Sequence, residues 1–202
     1  MPPLRLRQKI WVKTMKDKLY RQIFDYLPVN EQEETDRKLL LAHLESGTDI
    51  STRKNLMAHL TASAWVVTPD RNAVLMAYHK IYNSWAWLGG HADGNWDLSA
   101  VAEKEARDES GIETLRLVSE TPVSLEILTV DGHEKKGKYV PCHLHLNVTY
   151  LFEAEPEQTL RIKADENSSV AWIPVDEISR KSTEPWFVER IYSKLINKAK
   201  QI

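Results

Sequence analysis

The sequence predicts an α/β protein, with a mixed β-sheet carrying helices on its faces and a helical extension ahead of it. Three observations carry this. The first 50 residues hold two amphipathic stretches and no strand pattern. From Leu60 onward, short apolar or alternating runs are bounded by turn residues, as strands are. Between those runs lies one helical segment, residues 97–110, with helix-end residues on both sides. Strands, then a helix, then more strands is the order of a sheet layered with helices.

The extension comes first. Residues 14–27 carry Leu19, Ile23, Phe24 and Leu27 at helical spacing, and Pro28 ends the stretch. Asn30 followed by Glu33 resembles a capping box. The helix it opens runs to about Glu45 with Leu40, Leu41 and Leu44 inward, and Gly47 stops it. Residues 1–50 therefore read as an extension and residues 51–202 as the main domain, because two short helices bury too little surface to stand alone. Their apolar faces are expected to dock on the main domain or on a second copy, a homodimer through these helices.

Strands follow. Ala62 to Thr68 and Ala73 to Tyr78 flank Pro69-Asp70-Arg71-Asn72, a hairpin turn. Trp85 to Leu88 leads into a glycine loop with Gly89, Gly90 and Gly94. Leu115 to Val118 and Val123 to Val130 read as strands, and Asp131-Gly132 opens a polar loop ending near Lys138. Leu144, Leu146, Val148 and Tyr150 then alternate with His143, His145, Asn147 and Thr149, which predicts a half-buried strand with one polar face. Val170 to Ile173 is a further strand, Val175 to Lys181 a helix or turn, and Thr183-Glu184-Pro185 starts a terminal helix.

Composition narrows the classes. A net charge of −2 and a pI near 6.4 argue against a general nucleic-acid binder. The single cysteine, Cys142, excludes an internal disulfide and fits a reducing compartment. No apolar run reaches the roughly 18 residues of a membrane span, and the basic N-terminus lacks the core of a signal peptide. These features predict a cytoplasmic protein with a small-molecule partner, and neither nucleic acid nor membrane.

The helix after the glycine loop is the informative segment. Asp97 is placed to cap its start, and Gly111 suits the left-handed residue beyond its end. Glu105, Asp108 and Glu109 share a face with Leu98, Val101 and Ala102, so the stripe that packs on a core turns acidic halfway along. Glu103, Lys104, Arg107 and Ser110 fall opposite, as a solvated face. Inward carboxylates repel one another and lose solvation, so they need protons or cations. A hard divalent cation such as Mg²⁺ (Mn²⁺ as the alternative) takes oxygen ligands and meets that need. The glycines let backbone approach a ligand closely, and a glycine loop feeding a helix suits phosphate.

Residues 90–112 resemble the Nudix box, G-x5-E-x7-R-E-U-x-E-E-x-G-U, where U is aliphatic. Aligned on Gly90 and Gly111, the chain departs in three places: Lys104 stands for the box Arg, Asp108 for the first acid of the E-E pair, and Trp96 for the early Glu, with Asp97 one residue on. The resemblance extends more loosely over roughly residues 59–180. It implies an α/β/α sandwich and divalent-metal-dependent hydrolysis of a nucleoside diphosphate linked to a further moiety X. It implies Glu105, Asp108 and Glu109 as metal ligands, joined by the Gly89 carbonyl, with Glu105, Glu109 and a later-loop acid, Glu166, in the catalytic set. Lys104, Asp97, Gly90 and Gly111 would support them. His91, His143, His145 and Trp96 are the substrate-contact set, the histidines offering phosphate contacts or a softer metal site. Two other activities share the fold: a nucleotide sensor without turnover, and an isopentenyl diphosphate isomerase-like enzyme, for which Cys142 beside His143 is the relevant pair.

Overall fold

The computed structural model describes residues 4–135 and 137–202. In chain order its elements are α1 (Leu4–Phe24), α2 (Glu31–Glu45), β1 (Ala58–Val67), β2 (Ala73–His79), β3 (Ser84–Ala86), β4 (Leu88–His91), α3 (Leu98–Ser110), β5 (Arg116–Leu117), β6 (Ser124–Val130), β7 (His133–Lys135), β8 (Lys138–Val140), β9 (His143–Glu153), β10 (Asn167–Pro174), α4 (Ile178–Lys181), α5 (Pro185–Phe187) and α6 (Ser193–Ala199). The chain divides into two compact units: Met1–Ala62 with His91–Val101 and Leu125–Val148, and Ser63–Gly90 with Ala102–Ser124 and Thr149–Ile202.

The first unit holds the extension. Helix α1 begins well ahead of residue 14 and ends before Leu27. Leu19 and Ile23 are buried as the spacing predicts, whereas Phe24 is 55% and Leu27 84% exposed. Phe24 lies about 100° around the helix from Ile23, and Leu27 lies beyond the last turn, so neither joins the packed stripe. Asn30 caps α2 by accepting the Glu33 N–H at 2.9 Å. The buried Glu33 carboxylate accepts the Tyr26 hydroxyl at 2.6 Å and the Val29 N–H at 3.0 Å, which ties the turn between the helices to α2. Gln32 donates to the Leu125 carbonyl at 3.1 Å, and Asp36 accepts the Ile127 N–H at 3.0 Å. Helix α2 is thus hydrogen-bonded to β6 of its own unit, and Leu40 and Leu44 are buried within this chain. The predicted polar loop Asp131–Lys138 is instead a two-stranded hairpin, β7 on β8, with Gly137 left-handed in its turn.

The eight-stranded sheet has the order β10-β2-β1-β9-β5, with β3 on β2, β4 on β1 and β6 on β9. Strand β10 lies antiparallel on β2, with Trp172 opposite Leu75, and β5 lies antiparallel on β9. Strands β1 and β9 run parallel: Met57 accepts from Leu144 N–H at 2.9 Å and Val67 from Ala154 N–H at 3.1 Å, so the partner numbers rise together. The sheet is therefore mixed, as predicted. Trp65 of β1 stacks on Tyr192 at 5.6 Å, and Trp87 meets Tyr192 edge-on at 5.7 Å. A π-helical turn, Val188–Tyr192, joins α5 to α6 and buries the consecutive Ile191 and Tyr192.

The predicted polar face of β9 is solvated only at its start. His143 and His145 are half-buried, whereas Asn147 and Thr149 are buried. Burial of Asn147 is compensated by hydrogen bonds: it accepts from Thr61 at 3.0 Å and donates to the buried Glu126 at 2.9 Å. No helix among the described residues is long and apolar enough to cross a membrane.

Candidate functional site

Helix α3 is bounded as its end residues predict. Asp97 accepts the Ala100 N–H at 3.3 Å and the Ser99 hydroxyl at 2.8 Å. Gly111 has φ +71 and returns its N–H to the Arg107 carbonyl at 2.8 Å. Leu98, Val101, Ala102, Ala106 and Glu109 are buried, and the Glu105 side chain is only 15% exposed. The apolar stripe therefore does turn acidic, at Glu105 and Glu109.

Two predicted positions differ. Asp108 is 44% exposed and bound to Lys104 at 2.6 Å, on the rim of the stripe. One residue is about 100° of helix, and the buried line continues through Ala106 instead. Ser110, expected on the solvated face, is fully buried. Its hydroxyl donates to the Ala106 carbonyl at 2.5 Å, and its own carbonyl accepts the Arg161 N–H at 2.7 Å, so residue 161 covers it. Lys104 also reaches Glu105 at 3.2 Å.

The loop before β10 completes the acidic group. Asn167, buried, donates to the Glu109 carbonyl at 2.9 Å and accepts the Lys163 N–H at 3.1 Å, clamping the loop against the end of α3. Lys163 then meets Glu166 at 2.8 Å and Glu105 at 3.9 Å. Burial pushes the Glu109 carboxyl up to about 8, and the charges of Glu166 and Glu105 push the same way. Lys163 and the Gly89 N–H oppose that shift without cancelling it. Gly90 backs directly onto this group, since a Cβ there would stand 2.7 Å from Glu105 Cδ. Nothing periodic in the sequence marks Lys163 or Asn167. Lys163 lies in the loop and Asn167 opens β10, and their only signal is an amide directly after Glu166 and a lysine three residues before it.

In the first unit the structure brings His91, His143 and His145 together, and adds His59. Ring centroids lie 5.1 Å apart for His59 and His91, 4.8 Å for His59 and His143, and 4.9 Å for His91 and His145. The apolar pattern marks β1 only from Ala62, which leaves His59 out, whereas the strand starts at Ala58. Burial, the largest cause, holds His91 down to about 3 and His145 down to about 2, and lowers His59. Trp96 is buried, and the Lys16 ammonium covers its ring at 5.5 Å from the centroid, so this ring is packed rather than offered to a base.

Gly89 and Gly90, expected in a loop, lie in strand β4, and the acid-bearing part of α3 packs against Gly90. The NUDIX domain model matches residues 57–195, and the chain belongs to that family. Among solved structures, a C. elegans Ap4A hydrolase is similar with TM-score 0.52 and 14% identity, over 71% of this chain and 98% of that one. A Nudix hydrolase from M. smegmatis, RenU, is similar with TM-score 0.52 and 16% identity, over 71% and 87%. The E. coli dihydroneopterin triphosphate pyrophosphohydrolase follows with TM-score 0.51 and 14% identity, over 68% and 95%. At these identities the likeness is one of fold. No protein of curated function matches the sequence.

Proposed function

We propose that this Nudix protein is a divalent-cation-dependent pyrophosphohydrolase, cleaving the diphosphate of a nucleoside diphosphate linked to a further moiety X. The observation that carries this reading is the packing of Glu105, Glu109 and Glu166 around Lys163 behind Gly90, all within the second unit.

These residues fit a hard cation. Glu109 is buried among carboxylates with its ionised form disfavoured, and Lys163 does not offset the burial and repulsion. Oxygen donors from carboxylate and carbonyl groups suit Mg²⁺ or Mn²⁺. Glu105, Glu109 and the Gly89 carbonyl are the proposed holders, with Asp108 contributing from the rim. When bound, such a cation neutralises phosphate oxygens and stabilises the charge that develops on them.

The chain's own groups supply the rest. Gly90, lacking a side chain, lets Glu105 lie against the backbone. Lys104 holds Asp108 and Glu105 in place, and Lys163 orients Glu166. Glu166 is the proposed proton acceptor: its side chain is 37% exposed, so water reaches it. One water is consumed, its oxygen bonds to phosphorus, the bridging P–O bond breaks, and two phosphomonoesters leave. The helical extension is proposed to serve the same chain through its bonds to β6.

A panel of nucleoside diphosphate derivatives, assayed with Mg²⁺ or Mn²⁺ for monophosphate release, tests this reading. Turnover of at least one member is expected, with Glu166→Gln slowed by roughly 100-fold or more. Tight nucleotide binding without turnover on any member would favour the sensor.

A further inference from the structure

We propose that His59, His91 and His145 form a second cation site in this protein, built from imidazoles and suited to a borderline divalent metal of the Zn²⁺ class. Their candidate ligand atoms lie within 4.8 Å of one another, in a group of described residues that contains no box carboxylate. Zn–N bonds are about 2.0–2.1 Å, so the ligand nitrogens of a tetrahedral site stand about 3.3–3.4 Å apart. The widest pair must therefore close by about 1.4 Å, which rotation of the imidazoles about their side-chain bonds supplies.

The second observation is an orphan. His59 is 4% exposed and its Nε2 has no hydrogen-bond partner among the described residues, although buried polar atoms are nearly always paired. Its Nδ1 lies 3.0 Å from the Asn55 carbonyl, which can only accept, so Nδ1 carries the proton and Nε2 holds a lone pair. This is the arrangement of a ligating histidine fixed by a backbone carbonyl. His145 has the same kind of support. His143 Nδ1 donates to the Pro141 carbonyl at 2.8 Å, which leaves a lone pair on its Nε2. That lone pair faces His145 Nε2 at 3.2 Å, so a proton on His145 Nε2 satisfies it and leaves the lone pair of His145 on Nδ1. His143 is thus a positioning residue.

The surrounding charge permits a cation. Arg53, the cation that acts most on His91, is held by Asp93 through two bonds of 2.8 and 2.7 Å. Three imidazoles with one position left for water or ligand is a known coordination pattern for zinc, and imidazole also suits Cu, Fe and Ni. Mg²⁺ prefers oxygen, so donor type separates the two sites.

Co²⁺, a spectroscopic probe for such sites, tests the proposal on the full chain prepared without a histidine tag and stripped with chelator. One equivalent should bind and give the intense visible absorption of a low-coordinate Co²⁺–imidazole complex. Zn²⁺ should abolish the absorption, and excess Mg²⁺ should leave it. His145→Ala and His91→Asn should each lose it, His143→Ala should weaken affinity by roughly 10–100-fold, and Glu109→Gln should keep it. Absence of the bands in the wild type would overturn the proposal, as would displacement by Mg²⁺ or a loss confined to Glu109→Gln. Because the Mg²⁺ competition uses the wild type, it decides the matter even if a histidine variant fails to fold.

Discussion

Glu109, buried in the second unit, and His145, half-buried in the first, are ionisable groups inside clusters of their own kind. Burial moves them in opposite directions. It lifts the Glu109 carboxyl to about 8 and lowers the His145 imidazole to about 2. In each case the charged form is the one penalised. The chemical outcome differs all the same. A neutral imidazole keeps a lone pair and remains a ligand, whereas a neutral carboxylic acid has lost most of its value to a hard cation. A carboxylate cluster is therefore committed to a cation or a proton, while an imidazole cluster stays neutral and keeps its lone pairs, the one on His59 Nε2 unpaired among the described residues. The two regions show how one physical cost strains the carboxylate and leaves the imidazole ready to bind.

The largest effect is expected at the strained group. Glu109→Gln removes the buried negative charge, and turnover should fall by about a thousandfold, since a metal's charge stabilisation is worth several kcal/mol. Steady-state kcat/KM with saturating Mg²⁺ measures it; turnover near wild type would show that Glu109 does not hold the cation.

Next is Gly90→Ala. The added methyl would meet Glu105 Cδ at 2.7 Å and Cγ at 2.8 Å, so the carboxylate must swing away. Overpacking costs about 1–3 kcal/mol. Activity should drop about tenfold or more while the protein still folds, because the clash is with a movable side chain. An unchanged kcat/KM would remove the close approach from the account.

The pH dependence of stability separates the clusters directly. In chelated protein, Glu109 binds its proton more tightly folded than unfolded, so its contribution is present below its ordinary value of 4.5 and is lost as pH rises through about 8. His145 runs the other way: its contribution is present above its ordinary 6.5 and is lost as pH falls toward about 2. Melting temperature should therefore fall on both sides of a mid-range maximum. Glu109→Gln should flatten the alkaline limb and His145→Gln the acid limb. If each variant flattens the opposite limb, the assignment of the two clusters is wrong.

The smallest effect is expected at Lys104→Ala. Its ammonium is 65% exposed and pairs with an Asp108 that is 44% exposed, so solvent screens both. Such helix-surface pairs contribute about 0.3–0.5 kcal/mol. A stability change well above that range, measured by denaturant unfolding, would mean that Lys104 acts on the buried Glu105 rather than on Asp108.

Much of the second unit was legible in the sequence. Helix α3 was readable from end to end because caps and apolar period are local properties: Asp97, Gly111 and the stripe from Leu98 to Glu109 all act within a few turns. The strands β2 and β10 and the Pro69–Asn72 turn were readable for the same reason. Local pattern misled where a neighbour decided burial. It placed Asp108 inward and Ser110 outward, although residue 161 covers Ser110 and Lys104 draws Asp108 to the rim. It gave β9 a wet face, although Asn147 is buried against Thr61 and Glu126, and it drew the hairpin of β7 and β8 as a loop.

The sequence by itself determined the family, the acid-bearing helix and the glycine behind it, since each rests on spacing along a single segment. Tertiary structure alone decided which groups meet. Lys163, Asn167 and Glu166 reach Glu105 and Glu109 from a loop some fifty residues on, and His59 joins His91 and His145 from three separate strands. Such meetings depend on chain closure over long separations, and no local period or cap encodes them.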